Sequence, residues 1–323
     1  MKLGVLGVSE IALRAVIEPA KQIDGIEVYG IASRELSKAK GYAEKYNIPN
    51  YYDSYNALLK DKNIDAVYIP LITALHAEWT IKAIEYGKHV LVEKPICLNL
   101  EELDNLKKVI LKNPNVVVVE GLMSQHHPWN DEIRKIVNKN KYGNLISIKT
   151  NACYKLEDKQ DFRLYPDKGG SVFFEEGLLW CHLTQYCLGL NPIEIDAKCD
   201  FSGPYGGDHI FHAKLFYDGG AVSECYCSYN APYEANHYLE FEEALLTVKN
   251  FWRPTFGFVK LKIEIFLKKS NSKQIITFLP ENYFYNQLKS FLYNVENLIS
   301  DGVDKSFERI EMMNRIYNTL FNF

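Results

Sequence analysis

Short apolar runs rich in β-branched residues alternate, through the first 120 positions, with segments whose apolar residues recur at helical spacing. The runs "KLGVLGV", "IEVYGIAS", "IDAVYIPLI", "KHVLVEK" and "NVVVVEG" read as strands, and "SKAKGYAEKY", "SYNALLKD" and "HAEWTIKAIEYG" read as the helices between them, the last stopped by Gly87. Continuous apolar strands joined through helices predict a parallel sheet covered on both faces, a doubly wound α/β domain over residues 1–121.

After one more helix in "HHPWNDEIRKIVNKN" the pattern changes. From about residue 144 the chain runs in long alternating segments: "LISIKTNACY", "IEIDAKCDF", "HIFHAKLFYD", "AVSECYCSYN", "LLTVKNF" and "VKLKIEIFLKK". Only "VFFEEGLLWCHLTQYCLG" and "NQLKSFLYNVENLI" read as helices there. Alternation of this kind predicts a largely antiparallel sheet, so residues 122–323 are expected to form a second, α+β domain. Cys225 and Cys227 fall on one face of a strand.

Composition narrows the class. A chain of 323 residues, 47% apolar, can build a substantial core. Thirty-seven basic against 41 acidic side chains leave a net charge of −4, which gives no overall field for nucleic acid or an anionic membrane. Glycine and Glu10 interrupt the apolar N-terminal segment, and no apolar run reaches membrane-spanning length, so a cytoplasmic protein is expected. Seven scattered cysteines without Cys-x-x-Cys spacing suggest neither a disulfide framework nor a metal site.

The first strand ends in "GVLGVSEIA", which places Gly7, Ser9 and Ala12 at the three positions of G-x-G-x-x-G/A. That spacing suits a tight turn, a close backbone approach to a pyrophosphate and a small residue for helix packing. Ser9 in the middle departs from glycine: its side chain must point away or join the phosphate contacts. The next strand ends at Ser33-Arg34, where an acid would hold the ribose 2′-hydroxyl of NAD. A hydroxyl and a guanidinium there, with Lys38 one helical turn on, favour the 2′-phosphate of NADP, although NAD remains possible and Glu35 also suits a solvated helix start.

"HVLVEKPICL" puts Glu93, Lys94 and Pro95 where an interior strand ends. Together with the glycine loop, "ASRELSKAKGYAEKY", "LHAEWTIKAIEYGKHVLVEKP" and "HHP" in that order, this resembles the Gfo/Idh/MocA family of NAD(P)-dependent oxidoreductases along nearly the whole chain. The resemblance implies an N-terminal Rossmann domain and a second domain with an open, mostly antiparallel sheet whose exposed face forms an oligomer interface, hence a homodimer or homotetramer. It also implies that Lys94 points beside the nicotinamide, where an ammonium stabilises negative charge on a substrate oxygen. Pro95 would stiffen the turn and Glu93 orient the lysine. His76 matches the family's Leu-His pair, but Ile72-Thr73 replaces the usual Pro-Asn, leaving Thr73 as a hydrogen-bond donor near the cofactor. His126, His127 and Pro128 lie at the domain junction; His127 matches a family histidine that is either structural or in contact with substrate.

The segment "GGSVFFEEGLLWCHL" resembles the family's second signature. Glu175 takes the position of its orienting acid and Gly177 that of its glycine, whereas Leu179 stands where a proton-transferring His or Tyr is usual. In a regular helix positions 175, 179 and 182 share a face, so His182 is the substitute proton carrier, its other reading being a hydrogen-bonded core histidine. Glu176 is expected on another face. Tyr154 and Arg163 precede the signature, and Arg163 suits either a hydroxyl-rich or phosphorylated substrate or a loop salt bridge.

These readings point to hydride transfer at a hydroxyl or keto carbon of a sugar, cyclitol or nucleotide-linked sugar. The loss of the usual proton donor leaves two alternatives: a cofactor-binding regulatory protein, and an NAD-assisted glycoside hydrolase or lyase.

Overall fold

The computed structural model describes residues 1–300 and 302–321, which divide into two compact units. Met1–Met123 and Phe284–Ile310 form the first, and Ser124–Tyr283 with residues from Glu311 onward form the second. The first boundary lies close to the expected one, but the segment 284–310 belongs with the N-terminal unit rather than the second. Its helix Tyr283–Asn297 buries Phe284, Leu288 and Phe291 in the same core as Leu3, Val5 and Val119. An amphipathic pattern announces a helix but not which sheet it will cover.

The first unit holds six parallel strands: β1 (Lys2–Leu6), β2 (Glu27–Ala32), β3 (Asn50–Tyr52), β4 (Ala66–Ile69), β5 (His89–Glu93) and β6 (Val118–Gly121). Their order is β3-β2-β1-β4-β5-β6, so the direction of winding reverses between β1 and β4. Side chains alternate between two cores, as the period of a strand requires. Leu3, Val5, Tyr68 and Leu91 face helix 10–20 and Phe284, Leu288 and Phe291. Leu6, Ile69, Val92 and Val118 face the core that Val303, Phe307 and Ile310 complete. Helix 10–20 is π-helical over Leu13–Ile17, where the Glu18 N–H donates to the Leu13 carbonyl. Pro19 has no N–H to continue an α-helical ladder at that point.

The second unit is built on an eight-stranded sheet: β7 (Leu145–Lys155), β8 (Glu194–Asp200), β9 (Ile210–Phe216), β10 (Val222–Ser228), β11 (Asn230–Phe241), β12 (Ala244–Lys249), β13 (Lys262–Leu267) and β14 (Ser272–Thr277). The order is β14-β13-β12-β11-β7-β10-β9-β8, antiparallel except where β7 pairs with β10. One face is buried through Ile148, Ala152, Ala213, Leu215, Cys225, Cys227 and Leu239. Cys225 and Cys227 share that face as expected, with their sulfur atoms 3.2 Å apart.

Strands β3, β11 and β14 and the helices Leu100–Lys112 and Val303–Asn318 lie where the sequence pattern singled out no element. The expectation of only two helices after residue 144 is therefore corrected by the last of these. β3 is three residues long, and β11 carries Pro232 and an outer row of polar side chains, so neither presents an apolar run.

Candidate active site

The glycine loop has the conformation its spacing demands. Gly7 sits at φ +116°, where a Cβ would be strained and would lie 3.0 Å from the Leu71 side chain. Its N–H donates to the Ala32 carbonyl, tying the end of β1 to the end of β2. Ser9 caps the following helix: its Oγ accepts the Ala12 N–H at 3.2 Å, and its carbonyl accepts the Tyr42 hydroxyl at 2.9 Å. Of the two roles open to Ser9, the structure places the hydroxyl inside the loop. Ala12 is fully buried, as close helix packing requires. A bare Cα at position 7, a hydroxyl folded onto its own helix and a helix start at the carboxyl end of β1 fit a dinucleotide pyrophosphate.

At the end of β2, the buried Ser33 accepts the Glu35 N–H, and Arg34 is exposed. The Arg34 guanidinium lies near Tyr55: burial raises the phenol's pKa and the guanidinium opposes that rise. Tyr55 lies on the Gly7 side, its oxygen 3.9 Å from the point a Cβ there would occupy. Lys38 reaches back 2.6 Å to Glu35. Ser33 and Arg34 thus stand at the edge of the loop, with Lys38 already shared with a carboxylate.

Lys94 is half-buried and held on both sides through its neighbours. Glu93 accepts the Tyr68 hydroxyl at 2.5 Å, and burial and that carboxylate together push the phenol well above its ordinary range. The Lys94–Pro95 bond is cis. Beyond it, the Pro95 carbonyl lies 2.8 Å from His76 Nδ1, and the Ile96 N–H donates to Glu120 Oε1 at 3.0 Å. His76 Nε2 lies 2.9 Å from the Leu71 carbonyl. His76 and Thr73 are both buried, in the turn and helix that follow β4. His76 thus bridges the turn after β4 and the turn after β5.

In the second unit, the signature segment begins with a cap. Asp208 accepts the Ser171 hydroxyl at 2.7 Å and the Phe173 N–H at 3.0 Å, and burial pushes its carboxyl up to about 6. Gly170 admits the preceding loop: a Cβ there would sit 2.5 Å from the carbonyl oxygens of Phe162 and Arg163. The α-helical spacing expected for Glu175, Leu179 and His182 does not apply to the first of them. Phe173–Gly177 is a π turn, and the α-helix runs from Leu178 to Cys187. Leu179 and His182 remain one α-turn apart, both buried.

Glu175 and Arg163 are brought together, Nε to Oε2 at 3.7 Å, while both oxygens of Asp161 lie 3.2 Å from Arg163 Nη1. Burial opposes the charge on Arg163, but Glu175, Tyr154 and Asp161 hold it above its ordinary range. Tyr154, packed between Tyr229 and Trp252, directs its hydroxyl toward Glu176 at 3.4 Å; burial first and Glu176 second raise its pKa. His182 packs edge-on against Tyr186, whose hydroxyl donates to Asn130.

His127 caps the helix Pro128–Asn138: its Nδ1 accepts the Trp129 N–H, and its ring lies 5.1 Å from that of Tyr283. Burial lowers its pKa to about 4, and that of His126 falls to about 4 as well, through burial first and the nearby Arg134 second. The neutral His127 therefore carries its proton on Nε2, a buried atom with no hydrogen-bond partner among the described residues.

Sequence reasoning missed Glu120, Arg309 and Asp208. An acid closing the buried run "NVVVVEG" was the available signal, because a carboxylate on a covered strand requires a partner. Among the described residues no group of three or more His, Cys, Asp or Glu side chains is placed to hold a metal, and no helix is long and apolar enough to cross a membrane.

A reversed parallel sheet with this glycine turn, and a lysine presented from a clamped turn at the end of β5, define a dinucleotide-dependent oxidoreductase. Residues 1–121 match the model of an oxidoreductase family with an NAD-binding Rossmann fold, and residues 131–247 match the GFO/IDH/MocA C-terminal domain. The chain belongs to the Gfo/Idh/MocA family of NAD(P)-dependent oxidoreductases. It is 29% identical to a D-xylose 1-dehydrogenase (NADP(+)) of Haloferax volcanii over 98% of this chain and 95% of that one. It is 31% identical to an oxidoreductase of Rhizobium meliloti over 79% and 76%. Its fold matches KijD10, a 3-ketoreductase from Actinomadura kijaniata crystallised with NADP and TDP-benzene, at a TM-score of 0.88 and 21% identity over 98% and 97% of the two chains.

Proposed function

We propose that this enzyme transfers hydride between NADP(H) and a hydroxyl or keto carbon of a neutral sugar, with Lys94 as the group that polarises the oxygen. When bound, the cofactor supplies or accepts hydride. Gly7, Ser9 and Ala12 cradle its pyrophosphate, Ser33, Arg34 and Lys38 receive its 2′-phosphate, and Thr73, His76, Glu93 and Pro95 shape the turns beside it. The Lys94 ammonium donates to the substrate oxygen and stabilises charge there. His182 moves the proton in place of the residue lost at Leu179, and Glu175 orients the surrounding groups. Tyr154, Arg163 and His127 bind substrate hydroxyls.

The carrying observation is the clamped Lys94 turn, which a regulatory binding protein has no need to build. Arg163 is already paired with Asp161 and Glu175, which favours hydroxyl groups over a phosphate as its ligand. Likeness to the D-xylose dehydrogenase along nearly the whole chain supports the same choice. The test is NADP⁺ reduction with D-xylose and related aldoses, set beside NADPH oxidation with keto sugars and a nucleotide-linked keto sugar. Turnover with an aldose supports the proposal; turnover confined to the nucleotide-linked substrate moves the assignment to that class. Binding of cofactor without net reduction, while a glycoside is cleaved, moves it to a hydrolase or lyase.

The enzyme is further proposed to work in the cytoplasm as a homodimer or homotetramer. The outer sheet face carries the partly exposed Phe216, Val222, Tyr226 and Tyr238, an array suited to a second copy. Light scattering that returns the monomer mass would overturn this.

A further inference from the structure

We propose that Glu120, its charge balanced by Arg309, is a positioning residue for Lys94, acting through the peptide bond that follows Pro95. The proposal rests on the reading that Lys94 acts on the substrate oxygen. Glu120 sits near the end of β6 on the face shared with Val118, beneath the helix Val303–Asn318. Its Oε2 accepts Arg309 Nη2 at 2.6 Å, with side chains only 1% and 3% exposed. Arg309 Nη2 also donates to Ser306 Oγ at 2.7 Å. The other carboxylate oxygen, Oε1, accepts the Ile96 N–H at 3.0 Å.

That N–H and the Pro95 carbonyl are the two polar ends of one peptide plane. His76 Nδ1 holds the carbonyl end at 2.8 Å, so buried side chains from opposite sides fix the plane. The peptide lies one residue beyond Lys94 and sets the direction in which its Cα leaves the turn. Arg309, in turn, holds the Glu120 carboxylate in place from its other oxygen. Removing one partner of such a pair leaves a buried charge, whereas replacing both by apolar groups of similar volume is often neutral for stability. Two double variants therefore separate positioning from folding.

Glu120→Gln/Arg309→Met removes both charges but keeps an amide oxygen for the Ile96 N–H. Glu120→Leu/Arg309→Met removes the acceptor as well. The first is expected to hold kcat near the wild-type value. The second should lower kcat about tenfold or more, since misplacing a reacting group by an ångström costs up to ~100-fold. KM for the sugar and the Kd of NADPH should change less than about twofold, as the catalytic step is what loses its geometry. Amide exchange at Ile96 should stay slow in the first variant and accelerate in the second, which an activity assay alone does not read.

Equal kcat in the two doubles, both folded by thermal unfolding, overturns the proposal. So does a large kcat loss in the Gln/Met variant while its Ile96 amide stays protected. If the Leu/Met variant does not fold, Glu120→Met/Arg309→Met, closer in side-chain length and equally without an acceptor for the Ile96 N–H, takes its place under the same criteria. Lys94→Ala is measured alongside. Retained turnover there removes the underlying role of Lys94, whereas an inactive Lys94→Ala with equal doubles removes the positioning role alone.

Discussion

The turn around Lys94 and the helical segment carrying Glu175 and His182 show two ways of holding the side chains proposed for the reaction. In the first, the backbone is fixed: His76 and Glu120 hold the Pro95–Ile96 peptide, while Tyr68 holds the neighbouring Glu93 carboxylate. In the second, charged side chains fix one another: Glu175 with Arg163, Arg163 with Asp161, and Glu176 with Tyr154, on a segment that starts as a π turn. A clamped backbone fixes where the lysine leaves the turn, whereas a network of paired charges commits each member to its neighbours. The Lys94 turn is thus held largely through its backbone, and the Glu175 segment through its side chains.

Substitutions can break that contrast. His182→Gln is expected to lower kcat about 100-fold, the usual contribution of a positioned proton carrier, with NADPH binding unchanged. Turnover within twofold of wild type would leave His182 a core histidine and assign the proton to water. Arg34→Ala should weaken NADPH binding about tenfold or more, the value of a charge-assisted hydrogen bond to phosphate, without altering NADH binding. Equal loss for both cofactors in a fluorescence titration would remove the 2′-phosphate assignment. Glu35→Gln releases Lys38 from an exposed pair and should tighten NADPH only by about twofold, because such pairs are weak.

The smallest effect is on stability. Burial lowers His237 to about 3 and His127 to about 4, below the ~6.5 of an unfolded histidine. The unfolded chain then binds protons that the native one refuses, so their stability contribution is full above ~6.5 and is lost as pH falls. Asp208 works oppositely: its folded value near 6 lies above its ordinary 3.8, so its cost is present above 6 and relieved on acidification. The melting temperature should fall by a few degrees between pH 7 and pH 5, a modest shift for a protein of this size. It should fall more steeply in Asp208→Asn, and a shallower slope there would reverse the assignment.

Much of this was legible in sequence, for identifiable reasons. Strands β1, β4, β5 and β6 and the second half of β2 are largely buried on both faces and announce themselves as apolar runs, and Gly7 follows from a turn that needs positive φ. Strand β11 was not legible, because its outer row of Glu234, Asn236, Tyr238 and Glu240 is polar; the first three bond one another and Asn151 rather than forming an apolar pattern. The phase of Glu175 was misjudged because a π turn breaks the 3.6-residue period on which such arguments rest. Glu120 and Arg309 are 189 positions apart, beyond the reach of any local motif.

The most direct test of the account is Lys94→Ala, read for kcat and for NADPH affinity in the same preparation. A drop in kcat of about 100-fold or more with an unchanged Kd, the signature of lost oxyanion stabilisation, is the predicted result. Turnover retained at the wild-type level would contradict the central role of Lys94.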